Sequence, residues 1–406
     1  MHRNMSAALA AALAAASIAA LPALAGTTPT APKTVAAPAG PATGIRHVFV
    51  IVLENEDYAA SYETNKNPWL GKILQKQGTL LTQYHGIGHV SLDNYVAMVS
   101  GQAPNPATSS DCNVYTDFQP SPAVLDPRGN GQAVGAGCVY PSGVKTLADQ
   151  MSAAHLSWHG YMEDMGNVAS REPKACGQPG SSAGVGTQDG TQSASATDQY
   201  AARHNPFVYF HSLIDSGACK RNVTPLTTLA GDLRKPSRTA NLSFITPNLC
   251  NDGHDGPCKG KDATGSNAGG LVSVDHFLSV WVPRIEQSPA FGKDGLLIIT
   301  TDESAVQDDA SSCCGEQPGA TDPMPGIYGP GGGRVGTLVI GRCVAKGKQD
   351  ATPYNHYSLL RSLEDLFGIK TGGTDGKGHL GYAAAAGLAP FGPDVFSSCP
   401  TSPKVG

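Results

Sequence analysis

Charge is scarce in this chain of 406 residues: charged side chains make up 15%, and the formal net charge is −5. No Lys/Arg-rich block stands out. A duplex-binding protein needs a basic face, so nucleic acid is not an expected partner. Aromatic residues are few, at 6%. Beyond the N-terminus no apolar run is long enough to cross a bilayer, so stable membrane insertion is not expected. No long period repeats, which excludes solenoids and propellers. There is no C-x-x-C pair, and Cys313 and Cys314 are adjacent, so the cysteines lack the spacing of a thiolate metal site. What is plentiful is glycine and proline, at 49 and 30 residues, which implies many long loops. The 40% hydrophobic content suffices for a large core, and the low charge is unlike that of a disordered chain.

The first residues read as a secretory signal. His2 and Arg3 form a short basic start, Ala7 to Leu21 is almost entirely Ala and Leu, and Ala23-Leu24-Ala25 offers the small residues that a signal peptidase reads. Cleavage is expected after Ala25. A retained anchor is the weaker alternative, because an Ala-rich stretch is barely hydrophobic enough to stay in a bilayer. Residues 26–44, rich in Thr, Pro and Ala, read as a solvated tether, and residues 45–406 as a single domain with Cys- and Gly-rich loop insertions. All ten cysteines follow the signal, as expected of an oxidising compartment. Pairing does not follow from sequence; two local expectations are Cys112–Cys138 and Cys250–Cys258, each closing a Gly-rich loop. The expected location is secreted or periplasmic.

Secondary-structure signals alternate. His47 to Leu53 is a continuous apolar, β-branched run, the mark of a strand buried on both faces. Gly295 to Thr301 is another, and Asn241 to Thr246, His155 to Met162 and Gly336 to Ile340 also read as strands. Helical spacing appears over Asn67–Gln77, Leu92–Ser100, Val144–Ala154, Leu271–Ile285 and Tyr357–Phe367. Ser109 to Pro141 and Gly177 to Gln192 read as loops. Strands alternating with helices predict an α/β fold with a mostly parallel central sheet flanked by helices.

In such sheets the site lies beyond the carboxyl ends of the strands. The first strand runs into Glu54-Asn55, the strand at 295–301 into Asp302-Glu303, and the strand at 241–246 into Asn248, Asp252, His254 and Asp255. Any one group could be a turn former. Together they suit a hard divalent cation, Mg²⁺, Ca²⁺ or Mn²⁺, and the imidazole widens the choice to Zn²⁺ or Fe. Ser91 stands where a helix begins. It is either an ordinary cap or a hydroxyl activated at a helix N-terminus, and spacing does not choose.

The short motifs form a set. Glu54-Asn55, His89-x-Ser91-x-x-Asn94-Tyr95, His204-Asn205-Pro206-Phe207, Pro247-Asn248 through His254-Asp255, Asp302-Glu303 and His356-Tyr357-Ser358 occur in that order. They resemble the bacterial phosphoesterase family of the alkaline phosphatase superfamily, which holds secreted acid phosphatases and phospholipases C. The resemblance implies an alkaline-phosphatase-like fold and one divalent metal ion held by Glu54, Asn55, Ser91, Asp302 and Glu303. It implies Ser91 as nucleophile, with His204 and His254 binding phosphoryl oxygens or protonating the leaving group. Asn55 and His89 would assist in substrate binding. Thr301 departs from the Trp that many members carry, and Asp302-Glu303 from their Asp-Asp pair.

The implied function is a secreted metal-dependent phosphomonoesterase working through a phosphoserine, with a phospholipase C-type phosphodiesterase as the alternative. The expected substrate is a phosphate ester, a lipid head group among the candidates. Phospholipases C of this family usually carry long C-terminal extensions, and this chain ends about forty residues after its last motif, which favours the phosphatase. His155 and His159 are expected to serve packing or surface, and Tyr58 and Tyr95 the core. His356 could approach the site, though a structural role is preferred. His276 and His379 carry no motif.

Overall fold

Alternate residues of the first strand, β1 (His47–Leu53), enter two different cores. Val48, Val50 and Val52 face one, and Phe49, Ile51 and Leu53 the other. The run is therefore apolar throughout because both faces are covered. The computed structural model describes residues 44–64, 67–121, 130–180, 186–305 and 309–396. The expected signal and the tether, except Gly44, lie outside the described residues, as does Cys399.

The central sheet has eight strands. After β1 come β2 (Thr79–Leu81), β3 (Trp158–Met162), β4 (Val223–Pro225) and β5 (Leu242–Thr246). The last three are β6 (Gly295–Thr301), β7 (Thr337–Gly341) and β8 (Lys348–Asp350). Their spatial order is β8-β2-β7-β6-β1-β5-β3-β4. The run from β6 through β1, β5 and β3 to β4 is parallel. β7 runs antiparallel to both β6 and β2, so the sheet is mostly parallel with one reversed strand. On one face pack α1 (Ser91–Ser100), α2 (Leu147–Ala153) and α4 (His356–Leu366); on the other packs α3 (Gly270–Glu286).

The expected helix over Asn67–Gln77 is instead two short turns, Trp69–Ile73 and a tighter one at Leu74–Gln77. Asn67 reaches across to the Ser61 carbonyl, and a Cβ on Gly71 would meet that oxygen at 3.0 Å. The segment is thus moulded to the neighbouring turn rather than to a regular helix. Cys112–Cys138 and Cys250–Cys258 are bonded, as are Cys176–Cys219 and the neighbours Cys313–Cys314. The expected loop over 177–192 contains a short strand pair, Thr187–Gln188 against Val114–Tyr115, and its residues 181–185 lie outside the described ones.

Candidate active site

Because β6, β1, β5 and β3 are parallel neighbours, their carboxyl ends share one edge. Backbone bonds lock the segments beyond those ends: Glu54 donates its N–H to the Asp252 carbonyl at 2.9 Å, and Asp302 to that of Leu53 at 3.0 Å. Asn55 takes a positive φ of 21° and donates its backbone N–H to Asp302 Oδ1 at 3.2 Å. Glu303 donates to the same oxygen at 2.8 Å.

Three of the strand-end carboxylates, Asp302, Asp252 and Glu54, each give one oxygen to a hydrogen bond within the protein and leave the other without one. Asp302 spends Oδ1 on those two N–H groups, and its buried Oδ2 has no hydrogen bond. Asp252 accepts the His254 N–H on Oδ1 at 3.0 Å and leaves Oδ2 unpartnered. Glu54 accepts the Ser91 hydroxyl on Oε1 at 2.5 Å and has no aligned hydrogen bond on Oε2, which faces His204 Nε2 at 2.7 Å. Glu54, Asp302 and Glu303 can each place one oxygen within 4.8 Å of the others, and Glu54, His204 and Asp252 form a second such group. Burying unpaired carboxylate oxygens is costly unless something completes them. Convergent, unpaired oxygen donors fit a hard cation of the Mg²⁺, Ca²⁺ or Mn²⁺ type, and His204 admits Zn²⁺ or Fe.

Ser91 is the first residue of α1, after an extended Val90 that provides no side-chain cap. The cap reading is thus not what the structure has: the hydroxyl goes to Glu54, while Asp111 Oδ1 accepts the next N–H, from Leu92, at 3.1 Å. His204 lies between two carboxylates. Its Nε2 is 2.7 Å from Glu54 Oε2 and its Nδ1 3.5 Å from Asp252 Oδ2, yet neither contact is aligned as a hydrogen bond. Tyr95, expected as plain core, is buried and also stacks on the His204 ring at 5.1 Å.

Electrostatics follow from this crowding. Burial works to raise the Glu54 pKa, but His204 and Arg203 overcome it and hold the carboxylate far below its usual range. Burial and then Glu54 and Glu303 push Asp302 well up. Glu303 is raised by burial and Glu54, and Asp252 by the same two causes to about 6. Burial opposes protonation of His204, but Glu54 and Asp252 together outweigh it and the pKa rises to about 9. His254 is raised to about 9 by its hydrogen bond to Asp255 and by Glu54.

The remaining sequence candidates fall close by. His89 donates from Nε2 to the Asp309 carbonyl at 2.9 Å and turns Nδ1 toward Glu303 Oε2, 3.3 Å away, so both ring nitrogens face protein groups. His254 sits at the rim, its side chain 38% exposed and its Nδ1 on Asp255 Oδ1 at 2.7 Å. His356 is fully buried behind the site. A carbonyl can only accept, so its Nε2–H donates to the Asp302 carbonyl at 2.6 Å, and Nδ1 accepts from Tyr84 at 3.0 Å. Burial lowers its pKa to about 4 and keeps the ring neutral. Sequence reasoning missed Arg203, which is 4% exposed and 3.8 Å from Glu54 Oε1. It counted Asp252 in the strand-end group without assigning it to the metal or the substrate, and it did not single out Asp111. For Arg203 the available signal was a cation immediately before a motif histidine in a chain with little charge.

A model of the Phosphoesterase family matches residues 55–370. A phosphate-repressible acid phosphatase from Penicillium chrysogenum is 30% identical over 84% of this chain and 64% of its own length. A phosphatidylinositol-3-phosphatase from Mycobacterium tuberculosis is 25% identical over 80% of this chain and 78% of its own. A solved Vibrio parahaemolyticus protein in the alkaline phosphatase superfamily overlaps 84% of this chain and 71% of its own, with a TM-score of 0.44 and 15% identity. The chain spans 54–64% of the length of the fungal acid phosphatases it matches.

Proposed function

The chain belongs to the Phosphoesterase family, and we propose that it hydrolyses phosphate monoesters through a phosphoserine formed on Ser91. The observation that carries this reading is the Ser91 hydroxyl, held at the start of α1 and bonded at 2.5 Å to a carboxylate of a converging cluster. In the proposed reaction Ser91 Oγ attacks phosphorus, the P–O bond to the leaving group breaks, and the serine proton passes to Glu54, which its hydroxyl already contacts. His254, at the rim and charged at neutral pH, donates a proton to the departing alkoxide. Water then gives a proton to the neutral His254 and attacks phosphorus, the P–Oγ bond breaks, and Ser91 Oγ recovers its proton from Glu54 as phosphate leaves.

Glu54, Asn55, Ser91, Asp302 and Glu303 are the proposed holders of one divalent cation. When bound it would supply charge neutralisation for the phosphoryl oxygens and favour the ionised serine. His204, braced by Tyr95, faces the phosphoryl oxygens; His89 steadies Glu303. Asn55 lends its amide to the substrate or the cation. The buried disulfides agree with export through the N-terminal segment into an oxidising compartment.

The experiment is to quench turnover of p-nitrophenyl phosphate in acid and map the peptides by mass. A phosphate adduct on the peptide carrying Ser91, absent from Ser91→Ala, is expected. Turnover with no adduct on either protein would overturn covalent catalysis.

A further inference from the structure

Arg203 has no task in the reaction above. It is buried, and one Nη1–H donates to the Gln192 carbonyl at 2.9 Å. Its remaining contacts are too long for hydrogen bonds: Nη2 is 3.8 Å from Glu54 Oε1, and Nε is 3.6 Å from Asp111 Oδ2. The buried Nε has no hydrogen-bond partner. A guanidinium carries five N–H donors in a planar fork that matches carboxylate and phosphate in pairs. A buried fork that closes on neither neighbouring carboxylate is an unfinished anion site. Its position is set on both sides. Asp111 is anchored through Oδ1 to the first turn of α1, and Glu54 Oε1 is the atom that accepts the Ser91 hydroxyl. The guanidinium therefore stands one carboxylate oxygen away from the proposed nucleophile.

We propose that Arg203 binds two non-bridging oxygens of the phosphoryl group and thereby makes the site selective for monoesters over diesters. This rests on the reading of Ser91 as the attacking group. A monoester dianion offers three non-bridging oxygens and two negative charges. A diester offers two such oxygens and one charge, and its second ester group occupies the third position. A fixed, planar cation beside the attacking oxygen gains more from the former, and more still as charge spreads over the oxygens in the transition state. A mere counter-charge for Glu54 and Asp111 would act through those groups and serve both substrates equally.

The test uses the metal-loaded protein and its Arg203→Ala and Arg203→Lys variants. Calorimetry with inorganic phosphate reads binding without turnover, and p-nitrophenyl phosphate against methyl p-nitrophenyl phosphate reads selectivity. Arg203→Ala should weaken phosphate binding about 10- to 100-fold, the size expected of lost charge-assisted hydrogen bonds. Its kcat/KM for the monoester should fall by about 10²-fold, and for the diester by much less. Arg203→Lys keeps the charge but loses the fork, so it should recover only part of either loss. It carries the test alone if the alanine variant does not fold. Phosphate affinity unchanged in either folded variant, or equal losses on both substrates, overturns the proposal. Absence of monoester turnover in the wild type would instead count against the family-based reading, and the phosphate titration would still measure Arg203.

Discussion

Two buried histidines of this protein each stand between two carboxylates, and they end differently. His379 is paired at Nδ1 with Asp375 Oδ2 at 2.6 Å and at Nε2 with Asp365 Oδ1 at 3.2 Å. Asp375 also accepts the N–H groups of Lys377, Gly378 and His379. No buried polar atom of that trio lacks a hydrogen bond. His204, between Glu54 and Asp252, has both ring nitrogens and both facing oxygens unaligned. Each cluster sets one imidazole between two carboxylates, two aspartates around His379 and a glutamate and an aspartate around His204. One cluster is closed on itself and latches a Gly-rich loop to the end of α4. The other is left incomplete, at a cost that a fold keeps where a ligand repays it.

The comparison breaks most sharply at Ser91. Ser91→Ala removes the proposed attacking oxygen but leaves the helix and the carboxylates in place. Its hydroxyl caps nothing, but its loss leaves the buried Glu54 Oε1 without that hydrogen bond, so stability should fall by about 1–3 kcal/mol with the fold retained. Turnover should fall about 10³-fold or more, as for other covalent nucleophiles. Near-normal activity would place Ser91 beside, not in, the chemistry. His254→Ala comes next. With an alkyl phosphate the loss should reach about 10²-fold, the lower range for general acid catalysis, and with p-nitrophenyl phosphate it should be far smaller. Equal losses would recast His254 as a phosphate ligand. His356→Ala acts from behind, through the Asp302 carbonyl. It should weaken divalent-ion binding about 10- to 100-fold in a chelator competition, the scale of groups that orient metal ligands.

Much of the fold is legible in the residues because burial on both faces leaves an unbroken apolar run. The runs at β1 and β6 have the bounds of the strands themselves, so the polar residues after each could be read as one edge. The start of α1 was placed within one residue, and two disulfides came from loops short enough to close locally. The edge strands β4 and β8, and β2 next to β8, span three residues each, too few for any period to show. Arg203 was missed for a different reason. A buried arginine and a solvated one share a letter, and the carboxylates that surround it come from residues 54 and 111, distant in the chain. The orientation of His89 toward Glu303 likewise depends on the loop at Asp309.

The smallest catalytic effect belongs to the closed cluster, and it tests the comparison from the other side. His379→Ala should leave kcat/KM and phosphate binding unchanged while lowering stability by about 1–3 kcal/mol, the cost of removing one partner from a buried polar pair. The pH dependence gives a second readout. Burial acts to raise the Asp375 pKa, but its hydrogen bond to His379 and those from the backbone hold it below the ordinary carboxylate value. A depressed carboxylate contributes stability above its unfolded pKa and loses it as pH falls through the folded one. Wild-type melting temperature should therefore drop on the acid side of the carboxylate range, and the His379→Ala curve should drop less there, since part of the depression is gone. The measurement is thermal melting across that range, paired with monoester turnover at neutral pH. A large loss of kcat/KM with an unchanged melting curve would mean that a saturated cluster can still serve the reaction, and the distinction between the two histidines would fail.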